Sequence, residues 1–566
     1  MKGSDAILEI LQKYSVSNVF GLIGETSFPL YESWENYHNI KHISGRDERN
    51  LAIMADGYSR AGDMPGICEV PGVGASYILP GVIEAYNSGV PMIIFSSDIS
   101  TNSEKRNFLT EYDKSHLFSK ITKEYISINS AEEIPRLLRR AFRIATTGRM
   151  GPVFVRFPMN VYSGEVSREE LFAQEQFSHY PALRTSPEDS VMKDALKLLA
   201  RSSRPVMVCG QGVLLSHAQE EVMKFSEMLQ IPVGTTISGK GSYRETSPLS
   251  IGVVGSRGGT KFSNGILDSA DLIFFVGTNT DSASTSEWKH PPFRLTNRGI
   301  IHLDISEAEL GNNYATDVFL YGDVKLTLSR MMKLASEDHL GRKSPEITSE
   351  KNNAEKLISD LAAYNSTSVN PVHLVKSLEA IVPDSSIITA DPGVGAIYSS
   401  AYFRVRKPGR KFIFNYSVGG LGFSLPAAIG AYFAKNTSTV CLTTDGSFGF
   451  FQGELETVRR YDADIKIILV NNGSFGWIRA TMVTQFDKVI SGTDFSEVDY
   501  SKIASAHGIR YDRIERDSEV AEKISKAFAE EGPILIEVIA EPEDRLVPPV
   551  PEWEQAARKH GTKYMG

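Results

Sequence analysis

Two oxygen-bearing side chains, Asp445 and Asn472, each follow a short apolar run in the last third of the chain. The run at 440–444 ends at Asp445, a helical pattern follows, and the run at 465–470 leads to Asn472. In a right-handed crossover both loops emerge at the same edge of a parallel sheet, where α/β proteins bind ligands. The spacing therefore predicts a carboxylate and a carboxamide facing each other across one gap.

These groups are hard oxygen ligands of the kind that Mg²⁺ prefers. Together with the backbone carbonyl of Ser474 they leave coordination positions for diphosphate oxygens and water. Gly446 allows a ligand to approach the backbone, and Ser447 begins a predicted helix whose first amides attract negative charge. We therefore expect Mg²⁺ ligands at Asp445, Asn472 and Ser474. The alternative is two unrelated Asp-Gly and Asn-Gly turns, and their placement after two strands at this spacing argues against it.

These residues resemble the cofactor motif of the thiamine-diphosphate enzyme superfamily, which is Gly-Asp-Gly, about 25 residues and then Asn-Asn, with Thr444 replacing the first glycine here. Residues 46–61 resemble the superfamily's Arg-His-Glu…Ala-Asp-Gly-Tyr-Ala-Arg, with Asp47 in place of the histidine. The resemblance implies that Glu48 is the catalytic carboxyl, which hydrogen-bonds N1′ of the cofactor's aminopyrimidine. The structural alternative is a glutamate that stabilises the helix N-terminus or pairs with a nearby arginine.

Other segments are similar to the superfamily's remaining cofactor motifs. Residues 73–91 resemble Pro-Gly-Ala-Thr-Asn…Gly…Ala-Tyr…Pro, residues 391–393 resemble Asp-Val-Gly, and residues 419–430 resemble Gly-x-Met-Gly-Phe-Gly-Leu-Pro-Ala-Ala-Ile-Gly. Leu421 is then the bulky residue that forces the cofactor into its bent shape. The resemblance implies a set of cofactor-binding residues: Glu48, Gly74, Asp391, Gly393, Gly420, Leu421, Gly446, Ser447, Asn472, Ser474 and Phe475.

Residues 301–310, 321–325 and 476–479 look like the acetolactate synthase and pyruvate oxidase branch of the superfamily. The resemblance implies a decarboxylase or carboligase of 2-oxo acids that uses thiamine diphosphate and Mg²⁺. One alternative is a 2-hydroxyacyl-CoA lyase or acetyltransferase of the same superfamily, which takes an acyl-CoA. Another is a non-catalytic subunit that keeps the fold. Retention of Glu48, Asp445 and Asn472 argues against that last alternative.

Five positions are expected to lie near the substrate: Gly24, Glu25, Thr110, His116 and Trp477. Several of them depart from the branch. Thr110 replaces its pocket glutamine, and Glu25 adds a carboxylate where it has glycine. His116 is a candidate for proton transfer, with a solvent-facing histidine as the alternative.

A flavin (FAD) is an alternative that the central segment disfavours. Residues 277–282 lack the arginine of the flavin-binding branch's Gly-Ala-Arg-Phe-Asp. Residues 209–213 carry a lone Gly-x-Gly after a predicted strand, which by itself is a weak nucleotide signal.

The elements that position these residues are short apolar runs alternating with helical patterns, which predict an α/β fold with three doubly wound domains and mainly parallel sheets. Polar stretches at about 160–190 and 336–368 separate the three segments. The C-terminal residues 541–566 are rich in proline, so we expect them to form an irregular tail. The predicted divisions are a pyrimidine-binding domain at 1–165, a central domain at 188–335, a diphosphate- and Mg²⁺-binding domain at 368–540 and a C-terminal tail at 541–566.

The 566 residues carry a formal net charge of -9, with acids and bases interspersed. This balance gives no support to a nucleic-acid or membrane partner. The three cysteines are widely spaced, and no apolar run is long enough for a membrane span, so we expect reduced thiols and a cytoplasmic location. The resemblance implies a homodimer or homotetramer whose active sites lie at the subunit interface.

Overall fold

The computed structural model describes residues 1–291, 299–338, 347–489 and 491–566. In these ranges the chain builds three six-stranded parallel sheets flanked by helices, which confirms the predicted fold class. The chain divides into two compact units. The first unit comprises residues 1–183, 425–437 and 451–465, and the second comprises residues 184–424, 438–450 and 466–566.

The first unit contains the first sheet, with strand order β2-β1-β3-β4-β6-β5. Its strands are β1 (Asn18–Gly21), β2 (Lys41–Ser44), β3 (Gly66–Val70), β4 (Met92–Asp98), β5 (Glu124–Ser127) and β6 (Pro152–Pro158). Its helices are α1 (Gly3–Lys13), α2 (Phe28–Trp34), α3 (Glu48–Ala61), α4 (Leu79–Asn87), α5 (Ser115–Phe118), α6 (Ile134–Thr146) and α7 (Met159–Ser163).

The second unit begins with the central sheet, with strand order β12-β11-β10-β7-β8-β9. Its strands are β7 (Pro205–Cys209), β8 (Val233–Thr235), β9 (Ser250–Val253), β10 (Leu272–Val276), β11 (Gly299–Asp304) and β12 (Val318–Tyr321). Its helices are α8 (Asp189–Arg201), α9 (Gln211–Leu215), α10 (Gln219–Leu229), α11 (Lys261–Ser269), α12 (Val324–Glu337) and α13 (Thr348–Ala362). Of the residues of α13, only Leu361 is buried.

The third sheet has the strand order β14-β13-β15-β16-β18-β17. Its strands are β13 (Ile388–Ala390), β14 (Phe412–Phe414), β15 (Thr439–Thr444), β16 (Ile465–Asn471), β17 (Arg510–Ile514) and β18 (Ile534–Ile539). The helices of this segment are α14 (Pro371–Ile381), α15 (Val394–Tyr402), α16 (Ser424–Lys435), α17 (Asp445–Phe448), α18 (Glu454–Arg460), α19 (Gly476–Phe486), α20 (Tyr500–Ala506) and α21 (Asp517–Ala529). Because β15 and β16 are adjacent and parallel, the residues that follow them emerge at one edge, as the spacing predicted.

The C-terminal segment is more regular than expected. It forms the two-stranded sheet of β19 (Leu546–Val547) and β20 (Lys563–Tyr564), with helix α22 (Glu554–Lys559) between them. The expectation of an irregular tail was therefore wrong. Proline prevents only its own nitrogen from donating to a ladder, and β19 ends before Pro548.

Helix α18 and nearly all of α16 belong to the first unit, although they lie late in the sequence. Helices α3 and α16 approach each other through glycines. A Cβ at Gly57 of α3 would collide with the backbone of Ala427, and a Cβ at Gly430 of α16 would collide with the Met54 carbonyl. The two helices therefore pack backbone against backbone within this unit.

Most of the sheet strands are buried on both faces because helices cover both. Every residue of β4 and of β7 is buried, for example. Among the described residues, no helix combines the length and the apolar character needed to cross a membrane.

Candidate active site

Asp445 lies at the carboxyl edge of the third sheet, directly after β15. Its Oδ1 accepts a hydrogen bond of 3.0 Å from the Gly446 amide, whereas its buried Oδ2 has no hydrogen-bond partner among the described residues. Burial raises the pKa of Asp445 to about 6, and backbone amides, including those of Gly473 and Ser474, limit the rise. A bound cation would satisfy the buried oxygen.

Asn472 lies opposite on the loop after β16, and its amide is held from both ends. Its Oδ1 accepts from the backbone amide and the hydroxyl of Ser474, both at 3.1 Å, and its Nδ2 donates to Glu543 at 2.6 Å. Glu543 is 3% exposed, and burial raises its pKa to about 8, with Asp445 also contributing to the rise. The carboxylate, the amide and the Ser474 backbone thus share one edge, as predicted.

Glycines at this edge leave open space for a ligand. A Cβ at Gly393, Gly419, Gly420 or Gly473 would meet no atom within 4 Å among the described residues. Three of them, Gly393, Gly419 and Gly473, have positive φ values of 125°, 76° and 70°, which glycine tolerates best. An open, glycine-lined edge beside a buried, unsatisfied carboxylate oxygen fits a diphosphate bound through a metal ion.

Asp391 organises this edge rather than facing it. Its carboxylate accepts from the Phe423 amide at 2.7 Å, from the Thr443 hydroxyl at 2.8 Å and from the amide and hydroxyl of Ser424. Burial raises its pKa, although these donors act against the rise. Asp391 therefore ties the turn before α16 to β15 and fixes Leu421, which lies half-buried on that turn.

Two further predicted residues lie beside Asp445 on α17. A Cβ at Gly446 would come within 2.9 Å of the Phe475 ring, so glycine allows these two loops to meet. The buried hydroxyl of Ser447 has no hydrogen-bond partner among the described residues. Helix α17 begins at Asp445 instead of Ser447, because the chain turns into the helix directly after β15 ends at Thr444. The helix has only four residues.

Glu48 lies in the first unit, where it is the first residue of α3 and is half-buried. Asp47 caps this helix by accepting from the Arg49 amide at 2.9 Å. Gly74 lies against Glu48, since a Cβ there would be 2.8 Å from Glu48 Oε1. Arg46 faces Glu456, and Arg49 pairs with Asp47.

The segment before Glu48 is fixed by a buried carboxylate of α18. Glu454 Oε1 accepts from the Arg46 amide at 3.1 Å and from Asn50 Nδ2 at 2.9 Å. Glu454 is fully buried, and burial raises its pKa. The turn that carries Glu48 is thus held by a helix that lies 400 residues later in the chain.

The predicted substrate residues fall in both units. Gly24, Glu25, Thr110 and His116 lie on loops of the first unit, and Trp477 begins α19 in the second. The side chain of His116 is 86% exposed and bonds Asp113 at 2.7 Å. This geometry matches the solvent-facing alternative for His116.

Three residues near the edge of the third sheet were not among the site residues predicted from the sequence. Glu543 holds Asn472, Tyr416 lies 3.4 Å from the Gly393 amide, and the guanidinium of Arg257 lies 4.7 Å from the centre of the Trp477 ring. Their only sequence signal was position, because each follows or precedes a strand of the second unit. Their partners lie 23 to 220 residues away, so spacing could not reveal them.

In the central sheet, the Gly-x-Gly after β7 serves packing. A Cβ at Gly210 or Gly212 would collide with Gly277, so these glycines let two loops touch each other. In the described ranges no group of three or more His, Cys, Asp or Glu side chains is arranged to hold a metal ion. The predicted Mg²⁺ ligands are of another kind, namely one carboxylate, one amide and one backbone carbonyl.

Comparisons with known proteins cover most of the chain. Three models of the thiamine pyrophosphate enzymes match it: the N-terminal TPP binding domain at residues 1–117, the central domain at 192–331 and the C-terminal TPP binding domain at 391–538. The chain is 33% identical to a probable acetolactate synthase large subunit of Methanocaldococcus jannaschii, over 97% of this chain and 94% of that protein. It is 32% identical to the Methanococcus aeolicus protein of the same description, with the same coverage.

A third relative is the acetolactate synthase large subunit of Lactococcus lactis subsp. lactis, which is 29% identical over 97% of this chain and 94% of that protein. Both the order of the three matched domains and the near-complete coverage agree with the three sheets described above. The chain belongs to the thiamine pyrophosphate enzyme family, in the group of the acetolactate synthase large subunits.

Proposed function

We propose that this enzyme is a Mg²⁺- and thiamine-pyrophosphate-dependent carboligase that joins two 2-oxo acids, with pyruvate as donor. Its relatives carry the name acetolactate synthase. The observation that carries the proposal is the edge of the third sheet. There a buried carboxylate oxygen without a partner lies among open glycines, in a chain related over almost its full length to acetolactate synthases.

Asp445, Asn472 and the Ser474 carbonyl are the proposed Mg²⁺ ligands. The fixed Asn472 amide supports this assignment, because its Oδ1 is oriented by hydrogen bonds from Ser474 and its Nδ2 by Glu543. Gly393, Gly420, Gly446 and the neighbouring cofactor residues would then surround the diphosphate and the thiazolium.

When bound, thiamine pyrophosphate supplies a nucleophilic carbon for the substrate carbonyl and an electron sink for the pair left by CO₂. Glu48 is proposed to hold a proton at N1′ of the aminopyrimidine. Its position beside Gly74 supports this role, since a side chain at residue 74 would collide with the Glu48 carboxyl and displace it.

The active unit is proposed to be a homodimer or larger homo-oligomer in which Glu48 and Asp445 of different subunits share one cofactor. Exposed apolar side chains on the segments that follow β1, β3 and β4 support a covered surface in the first unit. These exposed side chains are Ile23 (50%), Phe28 (55%), Val73 (43%), Tyr77 (57%), Phe108 (50%) and Leu109 (80%).

We also propose that the central domain does not bind FAD. The packing of Gly210 and Gly212 against Gly277 supports this, because it uses the glycines that a nucleotide would otherwise approach. An absorbance spectrum of the purified protein tests the proposal. A yellow protein with flavin bands would contradict it.

The reaction is tested by incubating the enzyme with thiamine pyrophosphate, Mg²⁺ and a panel of 2-oxo acids and acyl-CoAs. CO₂ release and product masses are measured together. The proposal predicts CO₂ and a 2-hydroxy-3-oxo acid from pyruvate. Saturation of the enzyme by an acyl-CoA, with no product formed from any 2-oxo acid, would favour the lyase or acetyltransferase alternative. The absence of any product would contradict the proposal.

A further inference from the structure

The loop between β9 and α11 is built to hold one side chain, that of Arg257, in a fixed place. Gly255 and Gly258 have φ values of 93° and 92°, and Gly258 packs so closely on Ser400 of α15 that a Cβ would collide with it. Asn264 clamps Gly255 by accepting from its amide at 2.9 Å and donating to its carbonyl at 3.1 Å. The backbone around Arg257 is therefore rigid.

Arg257 extends from this loop toward the edge of the third sheet. Its guanidinium lies 4.7 Å from the centre of the Trp477 ring, and the tilted ring of Trp553 lies 4.6 Å from that of Trp477. It is also close enough to Tyr416 to lower the pKa of that phenol, against the raising effect of burial. The Tyr416 hydroxyl lies 3.4 Å from the amide of Gly393, one of the open glycines.

No carboxylate pairs with this guanidinium among the described residues. Its only polar side-chain contact there is the Ser256 hydroxyl at 3.4 Å, and Arg257 itself is half-buried. A guanidinium that is partly removed from water gains most from a planar anion that accepts two of its N–H groups. The loop thus presents an unpaired cation beside the proposed cofactor site.

We propose that Arg257 binds the carboxylate of the acceptor 2-oxo acid and thereby selects 2-oxo acids over aldehydes as acceptors. This inference rests on the proposed function. Trp477 would form the wall along which the acceptor lies.

The assignment to the acceptor follows from the chemistry of the two substrates. The donor breaks its bond between C1 and C2 and releases C1 as CO₂. The electron pair that remains forms the new bond from its acyl carbon to the acceptor carbonyl carbon, and the acceptor oxygen takes one proton. The acceptor keeps its carboxylate throughout. A strong ion pair would stabilise the donor's carboxylate and oppose its loss, whereas it only holds the acceptor in place.

The test compares two acceptors with the same ethyl group, 2-oxobutanoate and propanal, with pyruvate as donor. For Arg257→Met we expect the kcat/KM for 2-oxobutanoate to fall about 10- to 100-fold, the range for loss of a charge-assisted hydrogen bond. Ligation of the pyruvate-derived acyl group to propanal should change less than about threefold, because propanal has no carboxylate. Arg257→Lys should restore part of the loss, because it keeps the charge but not the planar fork.

Lys261→Met is the matched control, because it removes a positive charge from the adjacent helix start, where Lys261 pairs with Glu554 at 2.5 Å. It should not change the preference between the acceptors. Equal loss of both acceptors in Arg257→Met, or no loss, would overturn the inference while leaving the proposed function intact. If the wild-type enzyme releases no CO₂ from pyruvate, the proposed function fails and the inference fails with it.

Discussion

At the scale of single residues, three partly or fully buried carboxyl groups have the central roles in the proposed reaction and in metal binding. Glu48 begins a helix and lies against Gly74, Asp445 has a buried oxygen without a described partner, and Glu543 is buried against Asn472. Replacing any of them by an amide or by alanine changes the charge or the hydrogen bonding of that one side chain. They therefore allow the proposed roles to be separated experimentally.

Glu48→Gln should abolish turnover and leave cofactor binding largely intact. The amide keeps the size of the side chain but cannot hold an exchangeable proton at N1′, and we expect a loss in kcat of about 10²- to 10⁴-fold. Steady-state kinetics and calorimetry with thiamine pyrophosphate measure the two effects. Undiminished turnover would remove Glu48 from its proposed role.

Glu543→Ala should weaken Mg²⁺-dependent binding of thiamine pyrophosphate by about 10- to 100-fold, because the Asn472 amide would lose the partner that orients it. Asp445→Ala should weaken binding at least as strongly. Calorimetric titrations at limiting Mg²⁺ measure both. Glu541→Ala, which removes a carboxyl group two residues earlier, is the control, and an equal effect there would argue against a specific role for Glu543.

Glu69 should make stability depend on pH. It is 1% exposed, accepts from the Tyr31 hydroxyl at 2.6 Å, and burial raises its pKa to about 8 from an ordinary 4.5. The folded state therefore binds more protons than the unfolded state between those values, and stability is lost as the pH rises toward 8. Glu69→Gln should raise Tm relative to wild type at pH 8, by an amount equivalent to roughly 1 to 4 kcal/mol, and have little effect at pH 5.

Thermal unfolding of both proteins from pH 5 to pH 8 measures this difference. Comparison at each pH largely cancels the contribution of the nearby His42, whose pKa burial lowers to about 4. Glu32→Gln, at a position whose side chain is 73% exposed, controls for the change in net charge. A Tm difference that does not grow with pH would contradict the proposed cause.

At the scale of elements, sequence patterns located the strands well because their signal is local. The apolar runs at 440–444 and 465–470 coincide with β15 and β16, and the expected adjacency of these two strands is observed. The prediction that the C-terminal tail lacks regular secondary structure was wrong. Strands of two residues and a helix of six are too short to produce a periodic sequence pattern.

The close contact between α3 and α16 should make Gly57 intolerant of any side chain. Gly57→Ala would drive a methyl group into the Ala427 backbone, and we expect it to cost about 1 to 3 kcal/mol and to lower Tm. Gly265→Ala is the matched control, since Gly265 lies in α11 with no atom within 4 Å of its Cβ position among the described residues. It should be neutral or stabilising by up to about 1 kcal/mol. A similar Tm for both variants would show that α3 can move away from α16.

At the scale of the whole molecule, the proposed sharing of a cofactor between subunits predicts complementation. Glu48→Gln and Asp445→Ala should each be inactive alone. In a dimer that contains one of each, one of the two sites receives both native residues. Random exchange of equal amounts should therefore restore about a quarter of wild-type activity. No recovery after exchange, verified by mass spectrometry of differently tagged chains, would show that each subunit uses its own Glu48 and Asp445.

The amino-acid sequence by itself determined the fold class and the cofactor family. Hydrophobic alternation and turn residues act over a few positions, and the motif residues directly follow strands, so a linear reading is sufficient for them. The roles of individual residues at the site stay predictions that the experiments above address. Even so, the spacing of the two strands was enough to predict that Asn472 lies at the same sheet edge as Asp445.

Only the tertiary structure decided which distant residues support that edge. The hydrogen bond of Glu543 to Asn472, the approach of Arg257 to Trp477 and the hold of Glu454 on the Arg46 turn join residues 71, 220 and 408 positions apart. Such contacts depend on how whole elements pack, and no local pattern encodes them. The physical reason is that a buried polar group needs a hydrogen-bond partner. Which residue lies close enough to be that partner depends on how the whole chain folds.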